Sequence, residues 1–336
     1  MTRVTPAEWS EHRAMWVGYP SHPEVWEQNL DPARAEVAAL GRALAGPGGE
    51  RVRLFVRGDE AEADARARLR DVASVEFVRG QFGDVWLRDT GPIFVQDGEE
   101  ARPAAVGFRF NGWGGKYVLE DDDSVAEQLA AASGSPLVRV EAVVEGGALD
   151  HDGAGTILTT RQCLLNPNRE NGWTEAEAEA VLAEALGARR VFWLGDGLVN
   201  DHTDGHVDNL ARFVAPGVVA CPVGWGADDP NAAVYDETAR LLKTMRNERG
   251  APLTVSRIAS PGRVEVDGAV VPASHMNFVI ANKAVVAPLY GDERAGQLAL
   301  DALASLFPER EVIGLPSLAL LSGGGSFHCI TPQEPA

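Results

Sequence analysis

Short apolar runs alternate with segments of helical periodicity along this chain, and the alternation limits the folds open to it. Apolar residues recur at helical spacing in residues 33–45, 60–70, 124–132, 174–186, 231–247 and 294–306. Short β-like runs lie at residues 51–56, 75–78, 92–95, 137–140, 156–159, 191–194, 218–222, 277–281, 285–289 and 312–315. The pattern predicts an α/β fold.

The strand, turn and helix rhythm returns about every 60 residues, which gives roughly five or six units. Such recurrence indicates either a wound α/β sheet or modules arranged around an axis. No Pro/Ser-rich spacer separates two halves, so residues 1–336 are predicted to form a single domain. Thr174, followed by Glu175 and Glu177, predicts a helix start because acidic groups are favoured there.

Composition and charge exclude several classes of protein. Residues 1–16 lack the apolar core of a secretory signal, and no apolar run is long enough to cross a membrane. Three cysteines, an odd number without metal-type spacing, argue against a disulfide framework, so we expect a cytoplasmic protein. The net charge of −19 disfavours nucleic acid and is compatible with a cationic partner, although many acidic chains are acidic only for solubility.

A glycine-rich loop near the carboxyl end delivers one cysteine. Residues 323–325 are three consecutive glycines, and Cys329 follows them. Without Cβ atoms, such a loop lets backbone or ligand approach closely, and a thiolate is the strongest nucleophile that a side chain offers. A buried, unreactive cysteine in a glycine-rich turn is the structural alternative.

Three further polar segments stand out. In residues 84–92, Trp86 and Asp89 offer an aromatic wall and an anion, or the aspartates cap a turn. Glu145 ends an apolar run and precedes two glycines, which is compatible with a site carboxylate or a simple turn. Residues 201–209 are dense in histidine and aspartate, which indicates acid/base chemistry, a metal site or a structural polar turn.

Together these segments resemble the agmatine deiminase family, a bacterial peptidylarginine-deiminase-like group within the guanidine-modifying (pentein) superfamily. The similar residues span almost the whole chain, in one order: Pro6-Ala7-Glu8-Trp9, residues 12–16, Pro20, Trp26, residues 86–92, residues 110–117, Glu145-Gly146-Gly147, residues 203–208, residues 323–325 and His328-Cys329-Ile330-Thr331. The resemblance implies a five-bladed α/β propeller whose site lies on the pseudo-axis.

The resemblance also implies a role for each site residue. Cys329 is expected to be the nucleophile and His206 the general acid and base, with Glu145 orienting the histidine. Asp89 and Asp208 would hold the guanidinium, whose planar N–H fork matches paired carboxylates. The aromatic residues near the substrate would be Trp86, and Trp113 if it lines the pocket rather than packing elsewhere.

The expected reaction is hydrolysis of agmatine to N-carbamoylputrescine and ammonia through a covalent amidino-cysteine, which is one step in putrescine formation. It requires no metal and no organic cofactor, and its only implied partner is a small cationic guanidine. Because two carboxylates lie near it, we expect Cys329 to be mostly thiol in the free enzyme. The sequence leaves oligomeric state open, a homo-oligomer included.

Several alternatives stay open. A deiminase of free or peptidyl arginine needs a basic group for the α-carboxylate, which Arg13, Arg109 or Arg169 could supply. A metallohydrolase would use His202, His206, Asp204 and Asp208, and a non-catalytic protein would only bind polyamines or guanidines. Two departures from the family pattern, Ser326-Phe327 and His275, leave the distal end of the substrate unassigned.

Overall fold

The computed structural model describes residues 3–98, 101–247 and 250–336. Its strands are β1 (Arg3–Val4), β2 (His12–Gly18), β3 (Val52–Val56), β4 (Val75–Arg79), β5 (Ile93–Asp97), β6 (Arg102–Arg109), β7 (Leu137–Val143), β8 (Asp150–His151), β9 (Thr156–Thr160), β10 (Arg190–Leu194), β11 (Arg212–Ala215), β12 (Val218–Val223), β13 (Thr254–Ala259), β14 (Glu265–Val266), β15 (Ala269–Val270), β16 (Val279–Ile280), β17 (Ala284–Leu289), β18 (Glu311–Pro316) and β19 (Gln333–Pro335).

The α-helices are α1 (Pro23–Trp26), α2 (Leu30–Ala45), α3 (Asp59–Arg68), α4 (Leu87–Thr90), α5 (Gly112–Gly115), α6 (Val125–Ser133), α7 (Arg161–Leu164), α8 (Glu175–Leu186), α9 (Ala232–Thr244), α10 (Glu293–Leu306) and α11 (Leu318–Ser322). Short 3₁₀ turns at Gly146–Ala148, Pro167–Arg169 and Val207–Asn209 carry residues of the candidate site.

The strands fall into separate small sheets rather than one wound sheet. The sheet orders are β19-β2-β3-β4, β1-β5-β6-β7, β10-β9-β8, β11-β12-β13 and β16-β17-β18, with β14 and β15 forming a two-stranded ribbon. No sheet closes on itself within the described ranges. The described strands therefore form several sheet modules rather than the single wound sheet that was one of the two predictions.

Each of the five larger sheets contains the same kind of unit. An antiparallel pair shares its second strand with a parallel pair, as in β8, β9 and β10, where β9 pairs antiparallel with β8 and parallel with β10. A parallel pair needs a crossover connection, and here the helices α2, α6, α8, α9 and α10 make it. Their apolar faces are buried, which covers the sheets.

The six predicted helices are all present, with ends that move by a few residues. Thr174 forms the predicted helix start as a full capping box, since its hydroxyl accepts from the backbone of Glu177 while Glu177 accepts from the backbone of Thr174. Several strands were not predicted from the sequence: the short β1, β8, β14, β15 and β19, and the longer β2, β6, β11 and β13. Of these, β2, β6 and β11 each begin with a histidine or an arginine. The predicted strand at 277–281 is shorter, because Asn277 lies in a turn before β16.

Two observations bear on the class of protein. No helix among residues 3–98, 101–247 and 250–336 combines the length and apolar character that a membrane span requires. Cys163, Cys221 and Cys329 are all buried free thiols.

Candidate active site

The glycine-rich loop brings Cys329 and Trp86 close together. A Cβ on Gly325 would lie 2.5 Å from Cζ3 of Trp86 and 3.1 Å from Sγ of Cys329, so no larger residue fits there. Gly324 adopts φ +108°, a conformation that residues with a side chain rarely take. Cys329 lines a cavity of about 290 Å³, and Asp89, Trp86 and Trp113 also line it.

Three of the predicted polar residues converge on the α-carbon of Gly147. A Cβ at that position would lie 2.6 Å from Nδ1 of His206, 2.8 Å from Oδ1 of Asp89 and 3.2 Å from Oδ2 of Asp208. The backbone N–H of Gly147 donates to Oδ1 of Asp89 at 2.9 Å. Segments far apart in sequence thus meet around one glycine, with Sγ of Cys329 3.7 Å from Oδ2 of Asp208.

His206 is buried and lies between two carboxylates. Its Nδ1 is 3.7 Å from Oδ1 of Asp89, and its Nε2 is 3.8 Å from Oε2 of Glu145. That Nε2 has no hydrogen-bond partner in the described parts of the chain. Burial alone would lower the pKa of His206, but the charge of Asp89, with Cys163 and Glu145, outweighs burial and holds that pKa well above its usual value. A raised pKa favours the protonated ring, which is the form that can act as a general acid.

Asp208 forms a hydrogen bond with His328, the residue that precedes Cys329. Its Oδ2 lies 2.9 Å from Nδ1 of His328, whose Nε2 lies 2.8 Å from Oε1 of Glu8. Burial alone would raise the pKa of Asp208, but the hydrogen bond from His328 outweighs it and keeps that pKa low. Oδ1 of Asp208 is buried and has no hydrogen-bond partner among the described residues, so it is available to an N–H donor.

Glu8 belongs to a buried ion network beneath the site. Arg212 contacts Glu8 and donates from Nε to Asp150 at 2.7 Å, while Nη1 of Arg88 lies 3.4 Å from Glu8. Burial alone would raise the pKa of Glu8, but Arg212, His328 and Arg88 hold it well below its usual value. The network anchors the amino-terminal segment beneath His328.

The thiol of Cys329 has an environment that disfavours its ionised form. Burial raises its pKa first, and the negative charges of Asp208 and Asp89 raise it further, well above the ordinary thiol value. For Asp89 itself, burial and the neighbouring charges of Asp208 and Glu145 raise the pKa, while His206 opposes the rise. A cation placed between Asp89 and Asp208 would relieve this repulsion.

Glu145 forms a buried ion pair with an arginine. Nε of the fully buried Arg169 donates to Oε1 of Glu145 at 2.8 Å, and Nη2 of Arg169 donates to the carbonyl of Thr203 at 2.7 Å. Burial alone would raise the pKa of Glu145, but His206 and Arg169 outweigh burial and hold it low. A permanent anion 3.8 Å from His206 acts on that ring through charge rather than through a direct hydrogen bond.

Both predicted aromatic residues line the cavity, each tied to an aspartate. Nε1 of Trp86 donates to Asp84 at 2.7 Å, and Trp26 donates to the same carboxylate at 3.0 Å. Burial raises the pKa of Asp84 to about 6. Trp113 donates from Nε1 to Oδ2 of Asp89 at 3.0 Å, so it lines the pocket rather than packing elsewhere.

The backbone of Trp113 is strained to reach Asp89. It adopts φ 52° and ψ 48°, the left-handed region that costs a bulky residue about 1–2 kcal/mol. Gly114 adopts a positive φ beside it, and its N–H donates to the side chain of Asn111 at 2.8 Å. The sequence Gly-Trp-Gly-Gly at 112–115 permits this turn.

The four residues considered for a metallohydrolase do not form one ligand set among the described residues. His202 is exposed and lies 3.3 Å from the hydroxyl of Tyr117, while Asp204 pairs with Lys116 and Arg169. The described group with ligand atoms close enough to share an ion is a different one, Glu145, Cys163 and His206, within 4.8 Å of one another. There the guanidinium of Arg169 already contacts Glu145 and lies 3.6 Å from Sγ of Cys163.

The three arginines considered as partners for the α-carboxylate of an arginine substrate do not line the cavity. Arg13 pairs with Glu334, Arg109 pairs with Glu170 at 2.9 Å, and Arg169 is buried behind Glu145. Among the described residues that line the cavity, none is lysine or arginine. His275 stacks on Tyr290 and Ser326 bonds to Ser317, so neither departure from the family pattern reaches the cavity.

Two residues of the site were not predicted in their observed roles from the sequence. Asn277 donates from Nδ2 to Sγ of Cys329 at 3.1 Å, and nothing in the sequence around it signals this role. Arg169 was considered as a substrate ligand, whereas it holds Glu145. The Pro6-Ala7-Glu8-Trp9 tract did carry a signal for Glu8, because a charged residue among apolar ones is a candidate for a buried ion pair.

Comparison with known proteins identifies the family of this chain. A sequence model of the Porphyromonas-type peptidyl-arginine deiminase family matches residues 4–335. The chain belongs to this family. Within it, the chain is 38% identical over 355 residues to the agmatine deiminase of Stutzerimonas stutzeri, covering 98% of this chain and 95% of that protein. The predicted resemblance to agmatine deiminases is therefore confirmed.

Solved structures of agmatine deiminases have the same fold as this family member. The enzyme of Enterococcus faecalis superposes with a TM-score of 0.92 at 29% identity, covering 99% of this chain and 96% of that one. A substrate-bound agmatine deiminase of C. jejuni superposes with a TM-score of 0.89 at 26% identity, covering 99% and 96%. A mixed α/β fold shared over nearly the whole length confirms the fold class.

Proposed function

We propose that this chain hydrolyses agmatine to N-carbamoylputrescine and ammonia, with Cys329 as the nucleophile. The observation that carries the proposal is the convergence around Gly147, where His206, Asp89 and Asp208 meet next to the thiol of Cys329. A cationic, planar substrate between two buried carboxylates is what this arrangement fits. The agmatine deiminases to which the chain is similar support the choice of reaction.

The first half-reaction begins when the cationic substrate binds and the thiol of Cys329 loses its proton. Guanidinium N–H groups bind Asp89 and the unpartnered Oδ1 of Asp208, and the cation lowers the pKa of Cys329, whose proton leaves to solvent. The thiolate adds to the guanidinium carbon and forms a C–S bond. His206 gives its proton to the departing nitrogen, the C–N bond breaks, and ammonia leaves an amidino-thioether on Cys329.

The second half-reaction reverses the role of the histidine. Neutral His206 takes a proton from water, and the hydroxide adds to the amidino carbon. The C–S bond then breaks, the thiolate of Cys329 leaves, the hydroxyl proton of the tetrahedral intermediate passes to solvent, and the ureido product is released. Acid/base help of this kind contributes about 10²–10⁴-fold, and the fixed charge of Glu145 favours the protonated ring to which His206 returns.

The cavity lining supports agmatine over arginine. An arginine α-carboxylate would enter a cavity whose lining includes Asp84 and Asp89 and, among described residues, no lysine or arginine. Burying that carboxylate without a cationic partner is costly. Agmatine instead brings a butylammonium chain, whose methylenes fit the indole walls of Trp26 and Trp86.

The test is ammonia release from agmatine, L-arginine and an arginine-containing peptide. We expect turnover of agmatine alone, no turnover by Cys329→Ala, and normal turnover by the matched variant Cys221→Ala, whose buried thiol lies in β12. Preference for arginine would keep the chemistry and reject the substrate. Loss of activity on chelation would favour a metallohydrolase, and binding without ammonia release would favour a polyamine-binding protein.

We also propose that the five sheet modules are the blades of a single-domain propeller with the site at its axis. Support comes from the repeated strand pattern and from site residues that follow strands of several modules. Three free cysteines suit a reducing compartment, and a cytoplasmic location stays a prediction. The reaction proposed here uses no metal or organic cofactor, and its partner is a small cationic guanidine.

A further inference from the structure

The carboxamide of Asn277 contacts the reacting sulfur and the backbone behind it. Asn277 is 1% exposed and lies in the turn before β16, where its own N–H donates to the carbonyl of Ser274. The hydroxyl of Ser274 donates to the carbonyl of Asn209 at 2.7 Å. The turn is thereby tied to the segment that carries Asp208, next to the cysteine.

Hydrogen bonds fix which end of the amide faces the sulfur. Oδ1 of Asn277 accepts from the backbone N–H of His328 at 2.9 Å and of Cys329 at 3.3 Å. Nδ2 donates to Oδ1 of Asn209 at 2.9 Å and to Sγ of Cys329 at 3.1 Å, whereas Oδ1 lies farther from that sulfur, at 3.5 Å. A rotated amide would set N–H against two N–H groups, so the donor end must face the sulfur.

The sulfur needs such a donor, because its charged neighbours oppose the thiolate. Sγ of Cys329 lies 3.7 Å from the carboxylate of Asp208. A neutral N–H at 3.1 Å stabilises negative charge on sulfur without competing with a cationic substrate for the two aspartates. It favours the thiolate when the nucleophile attacks and again when the sulfur departs from the amidino carbon.

We propose that Asn277 is a further catalytic residue, which donates a hydrogen bond to the thiolate of Cys329 in both half-reactions. At the same time its side-chain oxygen Oδ1 holds the backbone N–H groups of residues 328 and 329. The inference rests on the proposed function in taking Cys329 as the nucleophile. Its two parts, a donor to sulfur and an anchor for the backbone, are separated by substitution.

The test compares Asn277→Asp, Asn277→Ala and Thr331→Val. The aspartate keeps an acceptor for both backbone N–H groups, removes the donor and adds a negative charge beside the sulfur. The alanine removes donor and acceptor without adding charge, so its shift, compared with that of Thr331→Val, measures the loss of the donor. The hydroxyl of Thr331 anchors the same loop by donating to the carbonyls of Phe327 and His328, and among the described contacts it makes no hydrogen bond to the sulfur. Its variant therefore controls for loop anchoring. The readouts are alkylation of the Cys329 peptide by iodoacetamide against pH, and kcat and KM for agmatine.

We expect both Asn277 variants to shift the alkylation profile to higher pH and to lower kcat about 10- to 100-fold with little change in KM. Thr331→Val should leave the alkylation profile in place. An unchanged profile in both Asn277 variants would overturn the proposal, even if kcat fell. Because alkylation needs no turnover, a wild-type protein that fails to release ammonia from agmatine would reject the function and leave this test intact.

Discussion

A side chain on Gly147 would collide with His206, because its Cβ would lie 2.6 Å from Nδ1 of that ring. The same Cβ would lie 2.8 Å from Oδ1 of Asp89. Glycine is therefore required by space rather than by backbone conformation, and the reason is the close approach of the two groups proposed to bind and protonate the substrate.

Gly147→Ala should consequently remove activity by displacing His206 and Asp89, with a loss of at least about 10²-fold in kcat/KM, since small displacements of catalytic groups are costly. Gly195→Ala is the matched control, because a Cβ at Gly195 meets nothing within 4 Å. Steady-state kinetics and far-UV circular dichroism make the comparison. Full activity in Gly147→Ala would contradict the site geometry.

Cys329 should be a thiol in the free protein at neutral pH. Because burial and the charges of Asp208 and Asp89 raise its pKa well above 9.0, its alkylation rate should climb about tenfold per pH unit through neutral pH. Asp208→Asn removes one like charge and should shift the profile to lower pH. A plateau below pH 7 in the wild type would show a preformed thiolate and refute this account.

Arg169 should be far more important to stability than an exposed arginine of the same kind. Arg169→Met leaves the buried carboxylate of Glu145 without its cation, which costs about 3–5 kcal/mol of unfolding free energy. Arg109→Met breaks an exposed pair with Glu170 and should cost less than about 1 kcal/mol. Urea unfolding measures both, and equal losses would argue against a structural role for the buried pair.

The raised pKa of His206 predicts a pH-dependent contribution to stability. A group whose pKa is raised by folding stabilises fully below its unfolded value, about 6.5, and this contribution is lost as the pH rises toward the folded value. Between pH 6 and 8, the unfolding free energy of the wild type relative to His206→Asn should therefore fall, by up to about 1.4 kcal/mol per pH unit. A difference that rises with pH would mean that the ring is neutral in the folded protein.

The sequence predicted the helices better than it predicted the strands. Helical periodicity located α2, α8 and α10 because one face of each is apolar. Strands such as β2 and β11 were missed because His12 and Arg212 are buried in ion networks, which a pattern of apolar residues cannot signal. Tertiary pairing, not local propensity, makes those segments strands.

The same limit applied at the site. Cys329, His206 and Asp89 were recognisable because chemistry-bearing residue types stood beside glycines, at positions similar to a known family. Asn277 and Arg169 were not, since an amide aimed at a sulfur and an arginine behind a glutamate are set by contacts across the fold. Their sequence neighbours carry no trace of those contacts.

The central claim is that agmatine becomes covalently attached to Cys329, and rapid-quench mass spectrometry tests it most directly. Wild-type protein mixed with agmatine and quenched in acid during turnover should carry an amidino adduct on the peptide containing Cys329, and the adduct should decay as agmatine is exhausted. Cys221→Ala should carry the same adduct, and Cys329→Ala should carry none. Ammonia release without any adduct, or an adduct on another residue, would contradict the account.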